Sequence, residues 1–183
     1  MRLPLPAERV EIWPDRRSWL QGRRGAANAH RIGASEVGAI LGCSPHRVAW
    51  DVWAERQGLS LPPDPARDRD FARGHRYELR ALQDYAEDVR LHVCQPWAAF
   101  APARPQAQVI VVHQVERWAT CTPDAFATDG ARWAGVEAKT TATPWVWGAA
   151  QVVDRWRDEL AAAIPPHYAA QCYWSMEATG LPS

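Results

Sequence analysis

"TPDAFATDGARWAGVEAK", residues 122–139, decides how the rest of the chain is read. Asp129-Gly130 is a strong hairpin-turn signal, and the residues on both sides of it read as strands. Folding this stretch about Gly130 and Ala131 sets position 124 opposite position 137. Asp124 and Glu137 then become cross-strand neighbours. Side chains alternate along a strand, so Glu137 and Lys139 share a face while Ala138 points the other way. Two adjacent carboxylates repel unless something positive lies between them. A divalent metal is the natural candidate, since hard oxygen ligands suit magnesium.

Lys139 is the single lysine among 21 basic residues; the rest are arginines. A Glu-x-Lys pair on an exposed strand face is commonplace and by itself indicates nothing. Its isolation here carries more weight. Arginine is a wide, permanently charged fork, whereas lysine is a compact point charge whose pKa burial can lower. It can touch a water nucleophile or hold a developing oxyanion, so a site that needs it does not drift to arginine.

Working outward, residues 70–89 are expected to form a long helix. Phe71, His75, Glu78, Leu82, Tyr85 and Val89 recur on it at steps of four and three, the stripe of a helix facing a core. Glu78 in that stripe is costly unless paired or metal-bound. The alternative is a helix tilted so that Glu78 reaches solvent or an arginine. The stretch "HYAAQCYWSMEATG" predicts a final helix after Pro165-Pro166, stopped by Gly180. On it Tyr168, Gln171, Cys172 and Met176 share a face, with Gln171 either a satisfied core amide or a group that touches substrate.

The remaining elements are short. Ser35 is expected to cap a helix over "SEVGAILG", "VAWDVWAERQG" is a second helix ended by Gly58, and "QVIVVHQ" is a strand. "LSLPPDPARD" reads as a proline-rich loop, and "TPWVWGAAQVVDRWRDELAAA" as partly helical. Helices, then strands, then helices give an α/β (α+β) domain with a small mixed sheet under helical cover. Residues 1–34 are expected to be an irregular, arginine-rich lead-in, followed by one domain over residues 35–183.

Composition bounds the rest. The chain has 183 residues and zero formal net charge, so no overall basic field draws nucleic acid. Its first 31 residues nevertheless hold seven arginines against three acids, a local basic arm. The eleven tryptophans are expected at the core or its edge. Cys43, Cys94, Cys121 and Cys172 form no C-x-x-C pair, so they read as free thiols of a reducing compartment and not as zinc or iron–sulfur ligands. No secretory signal or membrane-length apolar run is present, and the chain is expected to be cytoplasmic.

Taken together these residues resemble the YqaJ-like viral recombinases, the phage lambda exonuclease family of the PD-(D/E)xK nucleases. Pro123-Asp124 followed by Glu137-Ala138-Lys139 is similar to the superfamily signature. "RIGASEVGAILGCSPHRVAWDVW", "GHRYELR", "TCTPDAF" and "IPPHYAAQCYWSMEATG" resemble the family's blocks in family order, over about residues 18–180. The resemblance implies a restriction-endonuclease-like core and a magnesium-dependent exonuclease, manganese substituting, that digests one strand of duplex DNA from its 5′ end. It implies Glu78, Asp124 and Glu137 as metal carboxylates, the Ala138 carbonyl as a further ligand, Lys139 orienting or activating water, and Gln171 supporting the site. Ser35 would meet a phosphate, with Arg23, Arg24 or Arg31 holding the 5′ phosphate. A phage or prophage origin in a bacterial cell, a single-strand annealing protein as partner, and a homo-oligomeric ring trimer follow from the same resemblance.

Two departures qualify it. Trp19 and Arg23 fit the family's W-x-x-x-R stretch, but "GRRGAANAHR" adds about five residues before Ser35. Family chains continue past the glutamine helix with another strand and helix, whereas this sequence stops at Ser183, an expected unpaired sheet edge. The rival readings are a structure-specific endonuclease of the same superfamily and a non-catalytic DNA-end-binding or assembly protein.

Overall fold

The computed structural model describes residues 3–24, 28–59, 65–105, 107–140 and 164–182. The stretch 143–163 read as partly helical lies outside them. The decisive hairpin forms as expected. β6 (Ala125–Thr128) pairs antiparallel with β7 (Trp133–Val136), in a register running from Ala125↔Val136 to Thr128↔Trp133. The turn is built by its own side chains: Asp129 Oδ1 accepts the N–H groups of Ala131 (2.8 Å) and Arg132 (2.7 Å), and Gly130 takes the left-handed φ of 96°. β3 (His92–Cys94) adds to the other edge of β6, completing a three-stranded antiparallel sheet.

A second sheet has the order β1-β4-β5-β2. β1 (Val10–Trp13) runs antiparallel to β4 (Gln108–Val112), and β4 antiparallel to β5 (Ala119–Cys121). The two-residue β2 (Ile32–Gly33) lies parallel to β5, which makes this sheet mixed. The lead-in expected to be irregular is therefore structured. It supplies β1, the helix α1 (Arg16–Arg24) and β2. Alternation over four residues is too short a signal, and β1's partner β4 lies about a hundred positions away, as Val10↔Val111 records.

One core serves both sheets. Val111 from β4, Cys121 from β5 and Phe126 from β6 are at most 1% exposed, and they cluster with Leu3, Leu5, Ala34 and Ala178. Ala34 opens α2 (Ala34–Ile40), and Ala178 lies near the end of α6 (Pro166–Thr179). These two helices pack closely on each other. Gly38 faces His167 so tightly that an added Cβ would stand 2.7 Å from the His167 Cβ. Trp174 of α6 fixes the helix on the sheet by donating to the Thr120 carbonyl at 3.0 Å. Gly180 ends α6 in the left-handed conformation, φ 73°, as the sequence indicates. Beyond it the Pro182 carbonyl accepts the Gly135 N–H of β7 at 2.7 Å.

Several expectations are corrected. The cap of α2 is Gly33, with the Glu36 carboxylate accepting the Gly33 N–H at 2.8 Å, and Ser35 is the second helical residue. α3 is Ala49–Arg56, ended near Gly58 (φ 72°) as expected. The long helix α4 spans Pro65–Val89, so it begins inside the proline-rich stretch; proline in a first helical turn costs nothing, because its missing N–H has no partner there. Its stripe does not face a core along its length. Leu82 is buried, but Phe71 and Tyr85 are exposed. Two elements went unread: β3 and the short α5 (Pro96–Phe100). The tryptophans divide: Trp133 and Trp174 sit at the core's edge as expected, whereas Trp50, Trp53 and Trp118 are exposed, and no described indole is fully buried. All four cysteines are free thiols.

Candidate active site

The hairpin register fixes the first pair. Ala125 faces Val136, so one step further Asp124 faces Glu137. There the strand ladder gives way to a side chain: Asp124 Oδ2 accepts the Ala138 N–H at 2.8 Å. That bond aims the Asp124 carboxylate across the end of the hairpin. Glu137 Oε1 accepts two donors, the Lys139 ammonium at 2.5 Å and the Gln171 amide. α6 delivers Gln171 and, one turn before it, Tyr168, whose ring centroid lies 5.4 Å from Lys139 Nζ. Tyr168 was noted in the sequence only as an apolar neighbour of Gln171. The i, i+3 spacing was the available sign that both would reach the same strand end.

α4 brings Glu78 to the same place. Its side chain is 30% exposed and meets His75 Nδ1 at 3.4 Å, which places it at a cleft wall instead of in the core. A cleft of about 430 Å³ is lined by Glu78, Asp124, Glu137, Lys139 and Gln171, and also by Ser35 and Arg31. Among the described candidates, every side chain except that of Ala138 thus lines one cavity. Arg31 is already committed, its guanidinium 2.7 Å from the Glu11 carboxylate. The side chains of Arg23 and Arg24 lie outside the described residues.

The electrostatics follow from this crowding. Burial, then the neighbouring Glu137 charge, push the Asp124 carboxyl up to about 8, with Glu78 adding and Lys139 and the Ala138 N–H opposing. Burial pulls the Lys139 ammonium down, but Glu137 and Asp124 outweigh it, and the net shift is upward. Lys139 is therefore held as a cation in this state. That suits holding an anion or orienting water, and not taking a proton. Burial and Glu137 likewise raise the Cys172 thiol, so it is no nucleophile.

Whether the set suits a hard divalent cation can be tested on the residues themselves. Among the described residues, no three His, Cys, Asp or Glu side chains already converge as a ligand cluster, since Glu137 is turned onto Lys139 and Gln171. The donor chemistry nevertheless fits. Three carboxylates border one cavity, and burial together with the neighbouring Glu137 charge makes a second negative charge at Asp124 unfavourable there. A divalent ion would offset both effects.

A family model described as the YqaJ-like viral recombinase domain matches residues 18–182. Among solved structures, the fold is similar to an alkaline exonuclease (LHK-Exo) from Laribacter hongkongensis, with a TM-score of 0.56 at 16% identity over 87% of this chain and 69% of that one. A structure of the same enzyme in complex with dAMP gives 0.55 at 17% identity, over 85% and 67% of the two chains. No curated protein sequence matches significantly.

Proposed function

The chain belongs to the YqaJ-like viral recombinase domain family, and from that premise we propose that it is a metal-dependent DNA exonuclease of phage-type recombination, digesting one strand of a duplex from its 5′ end. One observation carries the reading: Glu78, Asp124, Glu137, Lys139 and Gln171, drawn from α4, the β6–β7 hairpin and α6, line a single cleft in which burial and Glu137 push the Asp124 carboxyl up to about 8. The deoxynucleotide in the similar alkaline exonuclease's complex is consistent with a nucleic-acid substrate.

Glu78, Asp124, Glu137 and the Ala138 carbonyl would hold magnesium, with manganese able to replace it. When bound, the metal supplies Lewis-acid activation of water and neutralises charge on the phosphate. The protein's own residues do the rest. The Ala138 N–H fixes the Asp124 carboxylate, and the Gln171 amide fixes that of Glu137. The Lys139 ammonium, backed by the Tyr168 ring, stands ready to orient the attacking water and to face the charge that builds on the phosphate oxygens. The product strand would pass to a single-strand annealing protein.

The test is digestion of linear duplex labelled at either end, with magnesium, manganese or chelator. Release of 5′-terminal nucleotides that stops in chelator supports the reading. Internal nicks on covalently closed circles would favour a structure-specific endonuclease, and binding without cleavage would favour an end-binding protein.

A further inference from the structure

The seven arginines of residues 1–31 are not equivalent. Arg9 is used inside the fold, donating from Nε to the Val112 carbonyl at 3.1 Å and from Nη2 to the Ala178 carbonyl. Arg31 is bound to Glu11. Within the cleft, Arg56 pairs with Glu36 at 2.5 Å and Lys139 with Glu137. Arg16 differs. It lines the same cleft, its guanidinium carbon sits 5.9 Å from the centroid of the Trp19 ring, and among the described residues no carboxylate forms an ion pair with it.

Arg16 also borders a second depression, of about 470 Å³, on the outer face of α1, together with Arg17, Leu20 and Gln21. Arg17 is exposed. Its acidic neighbour Asp15 is held below the usual carboxylate range first by the Ser18 N–H, at 2.7 Å, and only last by the Arg17 charge. The helix that carries both arginines is fixed in place. Asp15 caps its start, and Gly22 packs on the Trp13 indole so closely that a Cβ there would come within 2.1 Å of the ring.

We propose that the outer face of α1 is a backbone-binding track for a DNA strand, with Arg16 at the mouth of the carboxylate cleft and Arg17 behind it. The proposal rests on the nuclease reading above and names the residues that bring its substrate in. The charge argument is direct. Glu78 and Glu137 repel a phosphodiester, Asp124 joins them once it has lost its proton, and the described cations beside them are already paired. A strand reaches them only if unpaired positive charge meets it first. A guanidinium lying over an indole keeps its N–H edges free for phosphate oxygens and loses little hydration in doing so. Contacts to phosphate position a strand without reading its bases, so the contact is independent of sequence.

The test is equilibrium binding of a linear duplex in calcium, so that cutting is suppressed, at salt from 50 to 200 mM. Wild type, Arg16→Gln and the Arg16→Gln/Arg17→Gln double variant are compared, with Arg16→Lys as the charge-conserving control. Each phosphate contact contributes about 0.9 to the slope of log affinity against log salt. The single variant is expected to lose roughly 1 from that slope and the double roughly 2. Across the fourfold salt range that is a salt-driven loss about threefold smaller per arginine removed. Arg16→Lys should keep the wild-type slope. A variant with the wild-type slope, even if it melts at lower temperature, overturns the proposal and leaves Arg16 a packing residue. Magnesium digestion by wild type runs alongside. Cleavage with unchanged slopes sinks the track alone, and no cleavage sinks the nuclease reading itself.

Discussion

Consider Asp124→Asn in chelator, with no DNA present. The Asp124 carboxyl is raised to about 8, by burial first and by Glu137 second. Unfolded, the same group titrates at the ordinary value of 3.8. Between those values the unfolded chain has released its proton and the folded chain still holds it. A raised folded pKa contributes stability that is fully present below the unfolded pKa and is lost as pH rises through the folded one. From this one group, unfolding free energy falls by about 1.4 kcal/mol for each pH unit in that window. From pH 5 to pH 7 the wild type therefore loses on the order of 3 kcal/mol that asparagine, which does not titrate, does not lose. Asparagine keeps an oxygen to accept the Ala138 N–H, and it resembles the protonated acid in size, so the fold is retained. Urea unfolding of both proteins at pH 5 and pH 7 reads the difference. The variant should gain about 2–3 kcal/mol on the wild type between the two conditions. Parallel pH profiles would refute the claim that burial and the neighbouring Glu137 charge keep the Asp124 carboxyl protonated in the folded chain.

Three further outcomes follow from the same geometry. Because magnesium must displace that proton, its addition should raise the wild-type melting temperature more at pH 8.5 than at pH 6 and leave Asp124→Asn nearly unmoved; equal shifts at both pH values in both proteins would place the ion elsewhere. Lys139→Arg should slow cleavage about 10²-fold or more while DNA affinity in calcium changes little, since the slot between Glu137 and the Tyr168 ring fits an ammonium and not a fork; near wild-type cleavage would reduce Lys139 to a mere surface charge. Gly38→Ala forces a Cβ against His167 and should cost about 1–3 kcal/mol in urea unfolding, and an unchanged midpoint would show that α2 and α6 are not in tight contact.

What the sequence revealed follows the range of each interaction. The β6–β7 hairpin was legible because its turn is local: Asp129 and Gly130 carry the geometry themselves, and the pairing of 124 with 137 follows by counting. Gly180 and Pro166 marked α6 for the same reason. β1 was not legible, since nothing near Val10 announces Val111. Gln171 stood out as a polar residue on an apolar face, but its partner Glu137 lies 34 positions away and emerged only with the fold. Glu78 was left between a paired or metal-bound place on a buried stripe and an edge reaching solvent or an arginine; Phe71 and Tyr85 are exposed, and Glu78 itself lines the cleft. The arginine count of the first 31 residues is only a formal charge. The fold pairs Arg31 with Glu11, whereas no described carboxylate forms an ion pair with Arg16.

The central claim is that the Asp124–Glu137–Lys139 cleft hydrolyses DNA. Its most direct measurement is single-turnover digestion of a 5′-phosphorylated linear duplex in magnesium by wild type, Asp124→Asn and Glu137→Gln, each first shown to be folded. Wild type should release mononucleotides processed from the 5′ end, and each variant should fall by about 10³-fold or more, the scale of losing a positioned charge-stabilising group in a dry site. Either variant cutting at a rate close to wild type would contradict the account.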